Sequence, residues 1–435
     1  MFGFPGQTYR VGLLWIISVP FMILIVTFYL SFAPRLYVLS KKYGYITPTD
    51  YFADRFDSDL LRLLVSTLYV FTLIPYLILQ LTAMGHAFVG ITSGRFPFEF
   101  GVIFISAVML AFILLGGFRA VLYNDLWQGI LLTGLMLMAT WIFLEKSGGL
   151  GAVIQQAVAL APEKVAVPDS VQVLTRDYLS LIVLAAIGAA MYPQAIQRIY
   201  AAKSEKTLKS SLSLLVLAPF LTALCAVLIG MCGIVTFPHL GRIEADEITG
   251  HLIGTITQEY YWLAILLFAA AIGAVMSTAD SVLLTMASVF TKDIYKPFIR
   301  TEASNTELAK VGRLFTVVIL LSAGLFSLHP FTTLWNLSQI KFEFLIQLYP
   351  PLMFGLYWRR FSRIAALSGL MTGVATAGIL MLLGFHKFGY TQAGIYGFAL
   401  NIITCLTVGK LCRPRQEESL RTQSRFFQVF QHGGS

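Results

Sequence analysis

The sequence predicts an all-α integral membrane protein of about eleven transmembrane helices, from three observations. The first is the supply of charge. Only 12% of the 435 residues are charged and 57% are hydrophobic, whereas a soluble domain needs about 25% charged residues to cover its surface. The second is length. A helix crossing about 30 Å of hydrocarbon needs about 20 apolar residues, and eleven stretches meet or approach that: roughly 11–34, 61–91, 99–117, 124–145, 178–195, 210–237, 260–290, 312–328, 331–357, 364–384 and 391–412. Their apolar residues run on without the alternation of a barrel strand, so helices suit them. The third is the placement of Lys and Arg. Of the 31 basic residues, 23 fall in one alternate set of connections, 7 in the other, and Lys341 lies inside a span. The positive-inside rule then puts the 35–60 loop and the C-terminal tail in the cytoplasm, and the 146–177 and 238–259 loops outside.

The same placement accounts for the net charge of +9. The basic residues sit in short patches between apolar runs, which is membrane topology and not a nucleic-acid surface. Cys225, Cys232, Cys405 and Cys412 lie within or at the ends of apolar stretches without CxxC spacing, so they read as small hydrophobes. No Walker A loop, HExxH pair or GxSxG elbow occurs; ATP-driven transport and the common membrane hydrolases therefore lack their signatures, and no enzyme is expected.

Taken in order, the chain opens on Phe2-Gly3-Phe4-Pro5-Gly6, which is neither a signal sequence nor a complete helix. An odd number of spans with the C-terminus inside starts outside, so the expectation is that the N-terminal end is missing. The 146–177 loop is expected to hold a short amphipathic helix over an extracellular vestibule. In 178–198, Gly188 and Pro193 interrupt an apolar run. Proline cannot donate to its i−4 carbonyl, so this helix is expected to open between Gly188 and Tyr192, with a bare kink as the alternative. Transporters use such breaks near the midplane to free backbone groups for ions and substrate.

In 260–290, Ser277, Thr278 and Ser281 put hydroxyls on consecutive turns. Na⁺ is a hard cation that prefers oxygen, so Ala274 carbonyl with Ser277 and Thr278 could supply half of an ion site. The alternative is that these hydroxyls bond back to their own helix. Charged residues inside spans point to function. Asp125 starts its helix, where capping competes with an ion role. Asp280 lies one turn past Ser277 in a possible cytoplasmic pathway. Lys341 and Glu343 lie near mid-membrane and, being two apart, point in different directions. Lys341 is the candidate for an anionic substrate, and a structural ion pair is the competing reading. Residues 413–435 read as a polar, mobile cytoplasmic tail.

At this point the residues resemble the sodium:solute symporter family. Thr47-Pro48 through Arg55-Phe56 is similar to its TPxxYFxxRF loop. Gly116-Gly117-Phe118-Arg119-Ala120-Val121 with Asp125 and Gln128 is similar to GGxxAVxxTDxxQ, with Asn124 at the usual Thr. Gln197-Arg198 with Ala201-Ala202-Lys203-Ser204 resembles QRxxAAKS, and Met276-Ser277-Thr278-Ala279-Asp280-Ser281 through Asp293-Ile294-Tyr295-Lys296 resembles MSTADS…DIYK. Trp358-Arg359-Arg360 is a weaker fifth match.

The resemblance implies a leucine-transporter-like inverted-repeat core. Residues 1–357 would be that core, beginning with the end of core helix 1 and lacking most of it. Residues 358–412 would be two C-terminal transmembrane helices. It further implies sodium held by Ala274, Ser277 and Thr278, a sodium path by Asp125 and Asp280, and substrate contacts from Gln80, Tyr192, Gln194 and Lys341. The implied work is sodium-coupled symport of a small organic solute (an amino acid, carboxylate or vitamin-like compound) into the cell by alternating access. The implied place is the cell membrane, with lipid around the chain and no obligatory protein partner. A symporter-like signalling module and an inactive truncated carrier are the alternatives.

Overall fold

A computed structural model describes the backbone of residues 3–115, 118–166, 171–329, 332–412, 414 and 416–431; the side chains of 22, 113–127, 167–176, 218–219, 417 and 431 are not described. The helices are α1 Gly3–Val11, α2 Val19–Tyr43, α3 Pro48–Phe56, α4 Asp59–Thr92, α5 Phe98–Leu115, α6 Phe118–Lys146, α7 Leu150–Leu160, α8 Val171–Ala190, α9 Pro193–Ala201 and α10 Glu205–Leu214. They continue as α11 Leu217–Thr236, α12 Ile248–Ile256, α13 Tyr261–Val289, α14 Asn305–Ser327, α15 Leu334–Leu345, α16 Tyr349–Tyr357, α17 Arg363–Leu382, α18 Ala393–Leu411, α19 Gln416–Thr422 and α20 Gln428–Gln431.

Each of the eleven apolar stretches falls on a helix or an interrupted pair of helices. Among the described residues, seven helices are long and apolar enough to cross a membrane, or eight with α8 and α9 counted as one bent span. The other stretches are shorter or broken. The stretch 331–357 divides at a 3-10 turn, Ile346–Leu348, before Pro350-Pro351 open α16; two consecutive residues without N–H groups cannot continue the ladder of α15. The 146–177 loop holds α7, with Val153 and Ala157 buried at i, i+4 spacing.

α4 is the central post, touching α5, α12, α13, α14 and α15. Small residues permit such close approach. A Cβ added at Gly90 would lie 2.7 Å from the Glu247 carbonyl oxygen and 2.8 Å from Gly250 Cα, so α12 can rest on α4 only while both positions are glycine. Beside α12, buried Asp246 accepts from Leu334 N at 2.9 Å and pairs with Arg10 at 2.8 Å. Burial pushes its carboxyl above the ordinary carboxylate range. One side chain thereby joins α1 to the first turn of α15.

α17 and α18 pack against each other and against the turn after α15. There Gln347 Nε2 donates to Gly394 O at 2.9 Å, and Asn401 Nδ2 donates to Gln347 O at 2.8 Å. The tail departs from the expectation of a mobile segment. α19 folds back on α3 and α20 on α2, with Phe426 and Phe427 between them buried in the same apolar cluster as Phe52, Phe56 and Phe361. Asp54 pairs with Arg425 at 2.8 Å and with Arg421 at 3.4 Å, while Arg363 N donates to Glu418 Oε1 at 2.7 Å. The two phenylalanines give a polar segment enough apolar area to dock once α2 and α3 supply the other wall. The 47–57 loop and the tail therefore lie on one face of the molecule.

Candidate ion and substrate site

The broken helix is where its sequence places it. α8 ends at Ala190, α9 starts at Pro193, and their axes differ by 46°. A residue before proline is pushed out of the helical region, and Tyr192 takes φ −58°, ψ 122°. Tyr29 Oη donates to Ala189 O at 3.0 Å, satisfying a carbonyl at the end of α8. A Cβ at Gly188 would lie 2.9 Å from Phe342 Cβ, so α8 meets α15 nearly backbone to side-chain root.

α13 presents a polar face to this break. Ala274, Thr278, Ser281 and Thr285 follow i, i+4, i+7, i+11 and share one side of the helix. Thr285 Oγ1 hydrogen-bonds Gln197 Oε1 at 2.8 Å, and Arg198 Nη2 donates to Ser281 Oγ at 3.2 Å, so that side looks toward α9. The neighbouring line Gly273, Ser277, Asp280 faces α6, because Gln128 Nε2 would stand 3.0 Å from a Cβ at Gly273. Ser277, Thr278 and Asp280 are all half-buried.

Thr278 Oγ1 donates to Ala274 O at 3.0 Å. The hydroxyl thus bonds back to its own helix, the alternative the sequence left open. Its proton is held by the carbonyl while the oxygen lone pairs point away. An oxygen in that state accepts and cannot donate, as a hard cation requires. The Asp125 side chain lies outside the described residues.

The other side of the break holds Lys341. It is 2% exposed on α15. Its Nζ stands 3.3 Å from the Tyr76 ring centroid, 4.9 Å from that of Tyr192 and 5.0 Å from that of Phe342. The Tyr76 and Tyr192 rings stack at 5.3 Å with 2° between their planes. Gln80, buried, is one turn beyond Tyr76 on the same face of α4. Gln194, in the first turn of α9, keeps its amide oxygen buried and unpartnered among the described residues.

Glu343 turns the other way, accepting a hydrogen bond from Gly394 N on α18. Lys341 and Glu343 thus diverge, as residues two apart on a helix must. Tyr192 and Lys341 come together, with Tyr76 between them; for Gln80 the structure gives its burial on α4, one turn from Tyr76. Sequence reasoning missed Tyr76; its signal was a polar aromatic directly after Pro75, in the middle of a long span. Gln197 and Arg198 stood only as letters of a motif, and their docking on α13 was not foreseen.

The chain matches the sodium:solute symporter family model over residues 1–373. It is 28% identical over 429 residues to the osmoregulated proline transporter OpuE of Bacillus subtilis (strain 168), covering 97% of this chain and 86% of that protein. It is 26% identical over 427 residues to a sodium/proline symporter of Staphylococcus aureus, with 94% and 82% covered. The fold is similar to a substrate-bound, outward-open Na⁺-coupled sialic acid symporter, with a TM-score of 0.71, 19% identity, and 94% and 86% covered. A helix broken within a multi-pass α-helical frame is where many secondary transporters place their sites. The chain belongs to the sodium:solute symporter family and carries out sodium-coupled symport of a small solute.

Proposed function

We propose that sodium enters beside α13, where its side toward α9 meets its side toward α6, and is held by Ala274 O, Ser277 Oγ and Thr278 Oγ1. Asp280 and Asp125 then mark its way toward the cytoplasm. The solute sits across the break, against Gln80, Tyr192, Gln194 and Lys341. Sodium bound to α13 favours the outward-facing form and raises solute affinity, and solute raises sodium affinity by the same factor. Loading of both favours closure and release inside, where the α3 loop and the C-terminal tail face the cytoplasm. A membrane potential contributes about 2.3 kcal/mol per charge per 100 mV, so one or two sodium ions support substantial accumulation.

The observation that carries this reading is the face of α13. It presents an oxygen with its proton already committed toward a helix broken within the bilayer. The test is Thr278→Ala in the full chain, read as the rise in melting temperature produced by NaCl over choline chloride. The half-maximal sodium concentration is expected to increase about tenfold, equivalent to about 1.4 kcal/mol of lost coordination. An unchanged sodium titration would remove Thr278 from the site.

A further inference from the structure

We propose that the solute of this chain is a small organic anion, a monocarboxylate with an apolar body and no ammonium group, and that Lys341 is its counter-ion. The inference rests on the reading that the break between α8 and α9 houses the solute.

Lys341 is 2% exposed, and among the described residues no carboxylate lies within ion-pair distance of its Nζ. The nearest candidate on its own helix, Glu343, is committed elsewhere. It accepts from Gly394 N, and a Cβ at Gly394 would sit 2.4 Å from its Oε2, so α18 holds it with no room to swing. What surrounds Nζ is aromatic: Tyr76 at 3.3 Å and Tyr192 at 4.9 Å. Ring faces attract a cation, but they replace only part of the hydration that burial removes.

A charge left unpaired within a membrane marks a place where a partner arrives. The partner must be an anion, and the site's position selects its source. Tyr192 is the hinge residue of the broken helix, so an anion meeting Lys341 also touches the element whose geometry defines the break. The two turns of α8 that lead into the break carry Ala185, Ala186, Ala189 and Ala190, all buried and without a polar group. They suit a methyl or methylene body and offer nothing to sugar hydroxyls. An amino acid would bring its ammonium close to Lys341 in a low-dielectric space, where like charges repel strongly.

The experiment uses the purified full chain and reads melting temperature in NaCl and in choline chloride. The ligands are acetate, propionate, lactate and pyruvate, with propionamide and lactamide as uncharged isosteres and proline as the zwitterion. At least one carboxylate is expected to raise the melting temperature in sodium, with its amide and proline about tenfold weaker or more. Lys341→Met is expected to abolish that selectivity and to retain the shift caused by sodium alone. Lys341→Met is also expected to melt higher than wild type without ligand, because it removes an unpaired buried charge; this readout needs no successful choice of ligand. Proline binding that outlasts Lys341→Met, carboxylate and amide binding equally, or a lower melting temperature for ligand-free Lys341→Met would each overturn the proposal. Loss of the sodium shift in wild type would instead count against the sodium site, so the two failures are distinct.

Discussion

Arg55 and Lys341 are equally buried, each 2% exposed, and their surroundings are opposite. Arg55 on α3 donates through Nε to Gly355 O at 3.0 Å, through Nη1 to Thr422 Oγ1 at 3.0 Å and through Nη2 to Phe361 O at 3.1 Å. Its planar fork gathers α3, the end of α16, the turn before α17 and the tail into one corner. Three elements thus share a single set of donors, which only a rigid guanidinium can supply. Lys341 has aromatic faces and no acceptor among the described residues. The donors of one are taken up by acceptors on three elements; the other faces aromatic rings. Burial alone did not distinguish them, and the list of partners did.

The largest effect expected is therefore at Arg55. Arg55→Ala leaves at least two buried carbonyls without a donor, at about 1–3 kcal/mol each, so the variant should lose about 3 kcal/mol or more. Its melting temperature and its monodispersity after extraction should both fall. Arg55→Lys should rescue little, since a point charge cannot reproduce the fork. A melting temperature near wild type for Arg55→Ala would erase the contrast with Lys341, whose replacement by Met is expected to move stability the other way.

Next is Gly394. Its added Cβ would lie 2.4 Å from Glu343 Oε2 and 2.7 Å from Glu343 Cα. Gly394→Ala must push α18 from α15, at about 1–3 kcal/mol of overpacking. It should also weaken the grip on Glu343. If carboxylate binding at Lys341 were then lost while sodium binding remained, the separation of the two charges would be confirmed as a condition for the site.

The smallest effect belongs to the tail. Arg425→Ala removes an ion pair whose arginine side chain is 43% exposed. It should lose less than about 1 kcal/mol, and that loss should vanish at high salt. A salt-insensitive loss of several kcal/mol would show that the tail is held by charge and not by Phe426 and Phe427.

These regions also mark how far the sequence could be read. The spans were legible because hydropathy and length are local properties, and the break was legible because Pro193 lacks a donor wherever it sits. The hydroxyls of α13 and the mid-span charge of Lys341 were legible for the same reason. Arg55 was visible only as one basic residue in a loop motif. Its burial depends on carbonyls at Gly355 and Phe361, hundreds of positions away, and backbone acceptors leave no mark in composition. The tail misled because Phe426, Phe427 and Phe430 in a polar stretch look too few to fold until α2 and α3 provide the surface opposite.

The sequence by itself determined an α-helical membrane protein, the order of its helices and the chemistry each could bring to the middle of the bilayer. Only the tertiary structure decided which side chains meet. It set Tyr76 and Tyr192 around Lys341, turned Glu343 to α18, and aimed the α13 hydroxyls at the broken helix. The physical reason is that helix formation is governed by neighbours along the chain, whereas a buried charge is satisfied or left waiting by groups that only packing brings near.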